Sequence, residues 1–145
     1  MSICGRTVAF TISLLVVSAS AGFAQECLHG PDETTTQATR RTAALDATRN
    51  VNNIQFNRAG AREGVFLSHA ELSGSPFMLQ WRERNPDVDS RISLDPTKDI
   101  LPDWKLTLDV TENGYWFKVQ DTSDPCGFAY ISNTAGVIYR SEYIR

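Results

Sequence analysis

Hydrophobic positions follow one period in the first half of the chain and another in the last third. Ala44, Ala47, Val51 and Ile54 recur at intervals of three and four, and Leu45 and Phe56 widen the stripe. This spacing predicts an amphipathic helix over "PDETTTQATRRTAALDATRNVNNIQFNRAG". Arg40, Asp46, Arg49 and Asn50 fall on its polar face. Thr34 and Gln37 have capping-box spacing: a hydroxyl for the first free N–H groups and an amide that reaches back. Ser68 and Glu71 repeat the pattern before a short helical turn in "FLSHAELSGSP". Ser75 and Pro76 suit the start of another short helix. Residues 85–103 carry Pro86, Pro96 and Pro102 and read as loop.

From Trp104 the period becomes two. Trp104, Leu106, Leu108 and Val110 alternate with Lys105, Thr107 and Asp109, and Tyr115, Phe117 and Val119 share one face of "YWFKVQ". Glu112-Asn113-Gly114 predicts a hairpin turn, because Asn-Gly tolerates positive φ. "FAYIS" and "VIYRSEYI", separated by "NTAG", complete four strands. The expectation is an α+β fold: one long N-terminal helix packed on a four-stranded antiparallel meander sheet.

The first residues change the picture of where this domain works. Arg6, the apolar run Val8 to Val17 and "SASAGFA" have the layout of a signal peptide, with Gly22 and Ala24 placing cleavage before Gln25. The run is too short to span a bilayer, which takes about 20 apolar residues. Retention as an anchor is the competing reading. The residues before Cys27, Ala24-Gln25-Glu26, do not suit a lipoprotein. The division is therefore signal peptide 1–24 and a single domain 25–145. Arg6 leaves with the signal segment, so 13 Lys and Arg face 17 Asp and Glu. Without a basic block or a later spanning segment, nucleic acid and membrane are poor partners. Cys4 also leaves. Cys27 and Cys126 remain as an even pair, and a periplasmic or secreted location favours one disulfide between them.

Four short stretches carry a family resemblance. "AALDATRNVNNIQFNR", "GVFLSHAELS", "ENGYWFKV" and "SNTAGVIYRSE" occur in the order of similar segments in type IV pilins and type II secretion pseudopilins. The chain resembles their globular part. It lacks the prepilin cleavage site and the apolar assembly segment of that family, and the polar "QECLHGPDE" stands there instead. The resemblance implies a soluble pilin-like domain, without filament assembly.

Candidate chemistry is sparse. Asp121 and Asp124, with Asn133 at the same end of the meander, offer hard oxygen ligands for calcium. Some pseudopilins hold calcium in a loop near the C-terminus. The same Asp and Ser residues also shape ordinary turns. Cys27 and His29 supply sulfur and imidazole but lack the second pair a structural zinc needs. A thiol catalyst would need a reduced Cys27 or Cys126 beside His29 or His69. Ser68, His69 and Glu71 sit on one short helix and do not converge as a triad. Asp87 and Asp89 lie in the proline-rich loop, and no glycine-rich phosphate loop exists. No catalytic residue is assigned, and calcium is the one candidate cofactor. Trp116 and Ile138 would form a recognition patch if both lie on the sheet face away from the helix, unless residues 61–103 cover it. The expected function is a non-enzymatic structural or interaction module with a protein or cell-envelope partner. The alternatives are a small extracytoplasmic enzyme or inhibitor with its site in residues 85–103, or a calcium-stabilised binding domain.

Overall fold

The computed structural model describes residues 26–61, 64–74, 83 and 92–141. The signal segment, the short helix at Ser75 and Pro76, Trp81, Asp87, Asp89 and Tyr143 lie outside the described residues. Helix α1, Thr35–Ala61, comes first, followed by the short helix α2, His69–Gly74. The strands are β1 Trp104–Thr111, β2 Gly114–Asp121, β3 Ala129–Asn133 and β4 Tyr139–Ser141. They form one antiparallel sheet in the order β1-β2-β3-β4. The architecture is α+β.

Both capping boxes form. The Gln37 side chain accepts from the Thr34 N–H at 2.7 Å, and Thr34 Oγ1 accepts from the Gln37 N–H at 3.3 Å. Glu71 and Ser68 repeat the exchange at 2.8 and 3.4 Å. Each box satisfies donors that the first helical turn leaves free. Ala44, Ala47, Val51 and Ile54 are buried and meet Leu106, Tyr115, Phe117, Val119 and Tyr130 of the sheet. The alternation places the large residues of β1 and β2 inward, as period two requires.

Phe56 does not widen the core stripe. It is 44% exposed and lies on the β3–β4 turn, where a Cβ on Gly136 would come within 2.7 Å of its ring. Gly136 also holds φ +71°, so the turn needs glycine twice over. Three polar residues share the apolar stripe instead. Thr48 is buried and donates to the Ala44 carbonyl at 2.8 Å. Asn52 donates to Ser132 Oγ at 2.8 Å and accepts from the Tyr115 hydroxyl at 3.0 Å. Burial pushes that phenol up to about 12. Gln55 is fully buried; it donates to the Leu67 carbonyl at 2.7 Å and accepts from the Leu67 N–H at 2.8 Å. One amide thus replaces a missing ladder for the segment that follows the helix.

The positive φ expected at Asn113 is absent. Among the described residues, Asp103 is the one non-glycine residue with positive φ, at +65°. It occupies the third position of a Leu101-Pro102-Asp103-Trp104 turn closed by the Trp104 N–H on the Leu101 carbonyl at 2.8 Å. Gly114 serves close approach: a Cβ there would lie 2.8 Å from the Thr134 methyl group. The described part of the proline-rich stretch has no regular element, but it is not a surface loop. Ile92, Leu94, Ile100 and Leu101 are core residues. The last strand begins two residues later than expected, at Tyr139, and Ser132 Oγ donates to the Val137 carbonyl at 2.9 Å ahead of it.

Gln55→Leu keeps the volume and removes both bonds to Leu67. It should destabilise the protein by about 2–4 kcal/mol, since a buried N–H and C=O each lose their partner. Urea denaturation at neutral pH measures it; a loss under about 0.5 kcal/mol would show that the Leu67 groups find other partners.

Candidate functional site

The incoming chain, residues 27–33, lies against the loop that follows β2. Cys27 and Cys126, 99 positions apart in sequence, form a disulfide with Cα atoms 5.2 Å apart. The next residue continues the attachment: the Leu28 N–H donates to Asp124 Oδ1 at 2.9 Å. Asp124 also accepts from the Cys126 N–H at 3.3 Å and, through Oδ2, from the Phe128 N–H at 2.9 Å. Its carboxylate therefore shapes the turn that aims the sulfur of Cys126. Gly127, with φ +69°, lets the chain leave that turn.

His29 follows, with its side chain almost fully enclosed. Nδ1 lies 2.7 Å from Glu33 Oε1, and Nε2 lies 2.9 Å from Asp121 Oδ2. An arginine backs each carboxylate. Arg41 binds Glu33 through Nε and Nη2 at 2.8–3.0 Å, and Arg40 Nη2 lies 3.7 Å from Asp121 and 3.1 Å from Asp103. The ring also packs on Phe128 at 4.5 Å and Trp104 at 5.6 Å between centroids.

The hydrogen bond from Arg41 holds the Glu33 carboxyl below the usual carboxylate range, with help from His29 and against the effect of burial. For Asp121 the largest influence is burial, which raises it. Hydrogen bonds from Ser123 and His29 and the charge of Arg40 together outweigh burial, so the net shift is downward. Glu33 and then Tyr130 hold Arg41 still more firmly in its charged form. Both carboxylates are thus set as anions around an enclosed imidazole.

A cleft of about 640 Å³ opens beside this cluster, lined by Cys27, His29, Asp32, Arg41, Cys126 and Arg140 among others. His29 has both nitrogens on carboxylates, so no ring nitrogen is left to activate a nucleophile. Ser123 lies close, but its hydroxyl donates to Asp121 Oδ1 at 2.6 Å. The sulfurs of Cys27 and Cys126 are in the disulfide and are not thiols. His69 lies apart from this cluster. Burial pushes its imidazole down, and the charge of Asp95 opposes the shift.

The other residues singled out in the sequence are dispersed. Asp121 and Asp124 flank the same loop but direct their oxygens at different internal donors, and Asn133 bonds the Ala135 N–H in the next turn. Among the described residues no three His, Cys, Asp or Glu side chains converge as metal ligands. Trp116 and Ile138 are separated: Trp116 points outward from β2, whereas Ile138 packs against the core. The role of His29 escaped the sequence reading, because both carboxylates are brought to it by folding. The spacing of His29 and Glu33 was the one local signal. The chain matches no family model, no characterised protein and no solved structure.

Two outcomes follow from this end of the molecule. Replacing both cysteines by serine should cost up to about 4–5 kcal/mol, the loop-closure entropy of a loop near 100 residues, read as a fall in urea midpoint. An unchanged midpoint would mean that the His29 cluster alone holds the segment. Glu33 and Asp121 have lowered values in the folded state. Their contribution is therefore complete above the unfolded carboxylate range, near pH 4, and is lost as pH falls through the folded values. Stability measured from about pH 5 to 2 should drop more steeply in the wild type than in Glu33→Gln; parallel curves would contradict it.

Proposed function

We propose that the chain is an extracytoplasmic, non-enzymatic interaction module that meets a protein or cell-envelope partner through the outer face of its sheet. The observation that carries this reading is the exposure of Trp116 and Tyr139, 43% and 55%, on one face. Register places them there. Lys118 pairs with Ile131, Ile131 pairs with Tyr139, and Trp116 lies two residues from Lys118 on the same face. The Trp116 indole donates to Asp109 at 3.0 Å, which fixes the ring's orientation. Exposed tryptophan and tyrosine rings are enriched at recognition surfaces. Ile138 has no part in this surface.

The disulfide supports a location outside the cytosol, where thiols oxidise. Among the described residues, no helix is long and apolar enough to cross a membrane. A helix of 27 residues ahead of an antiparallel meander has the layout that the sequence resemblance implies. A domain built like the globular part of a pilin suits a role as a structural or interaction module.

The test compares capture from a cell-envelope extract by the wild type, by Trp116→Ala with Tyr139→Ala, and by Arg49→Ala on the exposed helix face. The double variant should keep its fold and lose at least about tenfold of specific capture, as loss of aromatic anchors does at interfaces. Arg49→Ala should capture as the wild type does. Equal capture by all three would overturn the assignment of the outer face.

A further inference from the structure

At one edge of the sheet lies β1, a regular strand of eight residues. The backbone direction along β1 follows from its start. The Trp104 N–H donates to the Leu101 carbonyl at 2.8 Å, and its own carbonyl accepts from the Ile100 N–H at 2.9 Å. Trp104 therefore turns its peptide groups away from β2, while the Asp103 carbonyl accepts from Thr122 at 2.8 Å. Strand alternation then turns the N–H and C=O groups of Leu106, Leu108 and Val110 outward. Among the described residues no strand pairs with this edge.

Natural edge strands are blunted by proline, bulges, inward charges or charged side chains along the edge. β1 has no proline, bulge or inward charge, and its edge charges, Lys105 and Asp109, are of opposite sign. Its register with β2 is unbroken from Trp104 to Thr111, and its inward residues are apolar. Leu108 and Val110 are only partly buried, so apolar surface is left along this edge. On the outer face, Lys105 and Asp109 stand at equal distances on either side of Thr107.

We propose that a second copy of this chain occupies the β1 edge, pairing antiparallel about a two-fold axis at Thr107. In this register Leu106 forms a hydrogen-bonded pair with Leu108 of the second copy, and the reverse pair follows from symmetry. Lys105 faces Asp109 of the second copy, also twice, and Thr107 faces its own counterpart. A two-fold contact must be self-complementary, and opposite charges spaced equally about a neutral centre make it so. The neighbouring registers are poorer. An axis at Leu108 sets Lys105 opposite Thr111 and Thr107 opposite Asp109, which leaves no charge pair. An axis at Leu106 sets Lys105 opposite Thr107 and Asp109 opposite Asp103, which leaves no opposite-charge pair. In the Thr107 register the ladder ends at Trp104, whose peptide groups are already used by Leu101 and Ile100. Pairing makes the two sheets continuous and sets the two Trp116 faces side by side. The inference rests on the strand register and the charge spacing, not on the assignment of the outer face to a partner.

Sedimentation velocity and light scattering of the purified protein at rising concentration test this, with expectations as follows. The wild type associates to a dimer. Lys105→Asp sets like charges opposite each other twice and weakens the dimer at least about tenfold. Adding Asp109→Lys to that variant restores opposite charges and recovers most of the affinity. The register has its own readout. Thr107→Cys sits at a non-hydrogen-bonded pair, where Cα atoms lie about 4.5 Å apart, and so forms an intermolecular disulfide under mild oxidation. Lys105→Cys, which faces residue 109, does not. A wild type that stays monomeric at every concentration overturns the proposal. So does a Lys105→Asp dimer of unchanged affinity, or equal cross-linking at positions 105 and 107.

Discussion

The attachment of residues 27–33 to the loop after β2 is the constraint on which the rest of this structure depends. It sets where α1 begins relative to the sheet, because Glu33 lies just ahead of the Thr34 cap. The disulfide removes most of the conformational freedom of a loop spanning nearly the whole domain. Alone it would leave the chain free to swivel about the bond. The Leu28 N–H on Asp124 and the His29 ring between Glu33 and Asp121 remove that freedom. The covalent link supplies proximity, and the hydrogen bonds supply direction.

Such a cluster is costly to bury. Taking carboxylates and arginines out of water costs several kcal/mol per ion, and the attraction between them repays this only with good geometry. The geometry here is good because each carboxylate sits between an arginine and the His29 ring: Arg41, Glu33, His29, Asp121, Arg40. Arg40 and Arg41 are partly exposed and keep some hydration. The penalty therefore falls mainly on Glu33, His29 and Asp121, whose side chains are nearly enclosed. Removing one member would leave another charged and unpaired, so the cluster enforces a single arrangement more than it adds net stability. The Asn52, Ser132 and Tyr115 group acts likewise deeper in the core. Its polar atoms link α1 to β2, β3 and the β3–β4 turn, and a slipped strand would break several bonds at once.

Much of the fold was legible in the sequence, because its determinants are local. The alternation at Trp104–Val110, the capping boxes at Thr34 and Ser68 and the parity of Cys27 with Cys126 all act over short range or by counting. What escaped was long-range or polar. Asn52 and Gln55 carry no apolar signal, yet they sit on the apolar stripe because their partners, Ser132 and the Leu67 backbone, arrive from elsewhere. The positive φ was expected at Asn113 and occurs at Asp103, where Pro102 fixes the preceding residue and Thr122 and Arg40 hold both ends of the turn residue. The buried residues of the proline-rich stretch were missed because Ile92, Leu94 and Ile100 follow no period. For the site, the sequence identified Asp121, Asp124 and both cysteines but could not tell a ligand set from a turn and a cluster. Carboxylates look alike until their donors are known.

The two ends of the sheet are built on opposite principles, and this bears on function. Where β2 meets the incoming chain, Glu33, Asp121 and Asp124 accept from internal donors, the sulfurs are bonded to each other and the imidazole has both nitrogens engaged. Along the outer face and the β1 edge the opposite holds: Trp116 and Tyr139 expose large rings, and Leu106 and Leu108 turn peptide groups outward. Rigidity at the closed end is what makes the open surface usable. A flat face and a straight edge keep their register only if the strands cannot slip, and β2, which carries Trp116, is continuous with the loop that the disulfide and His29 hold in place.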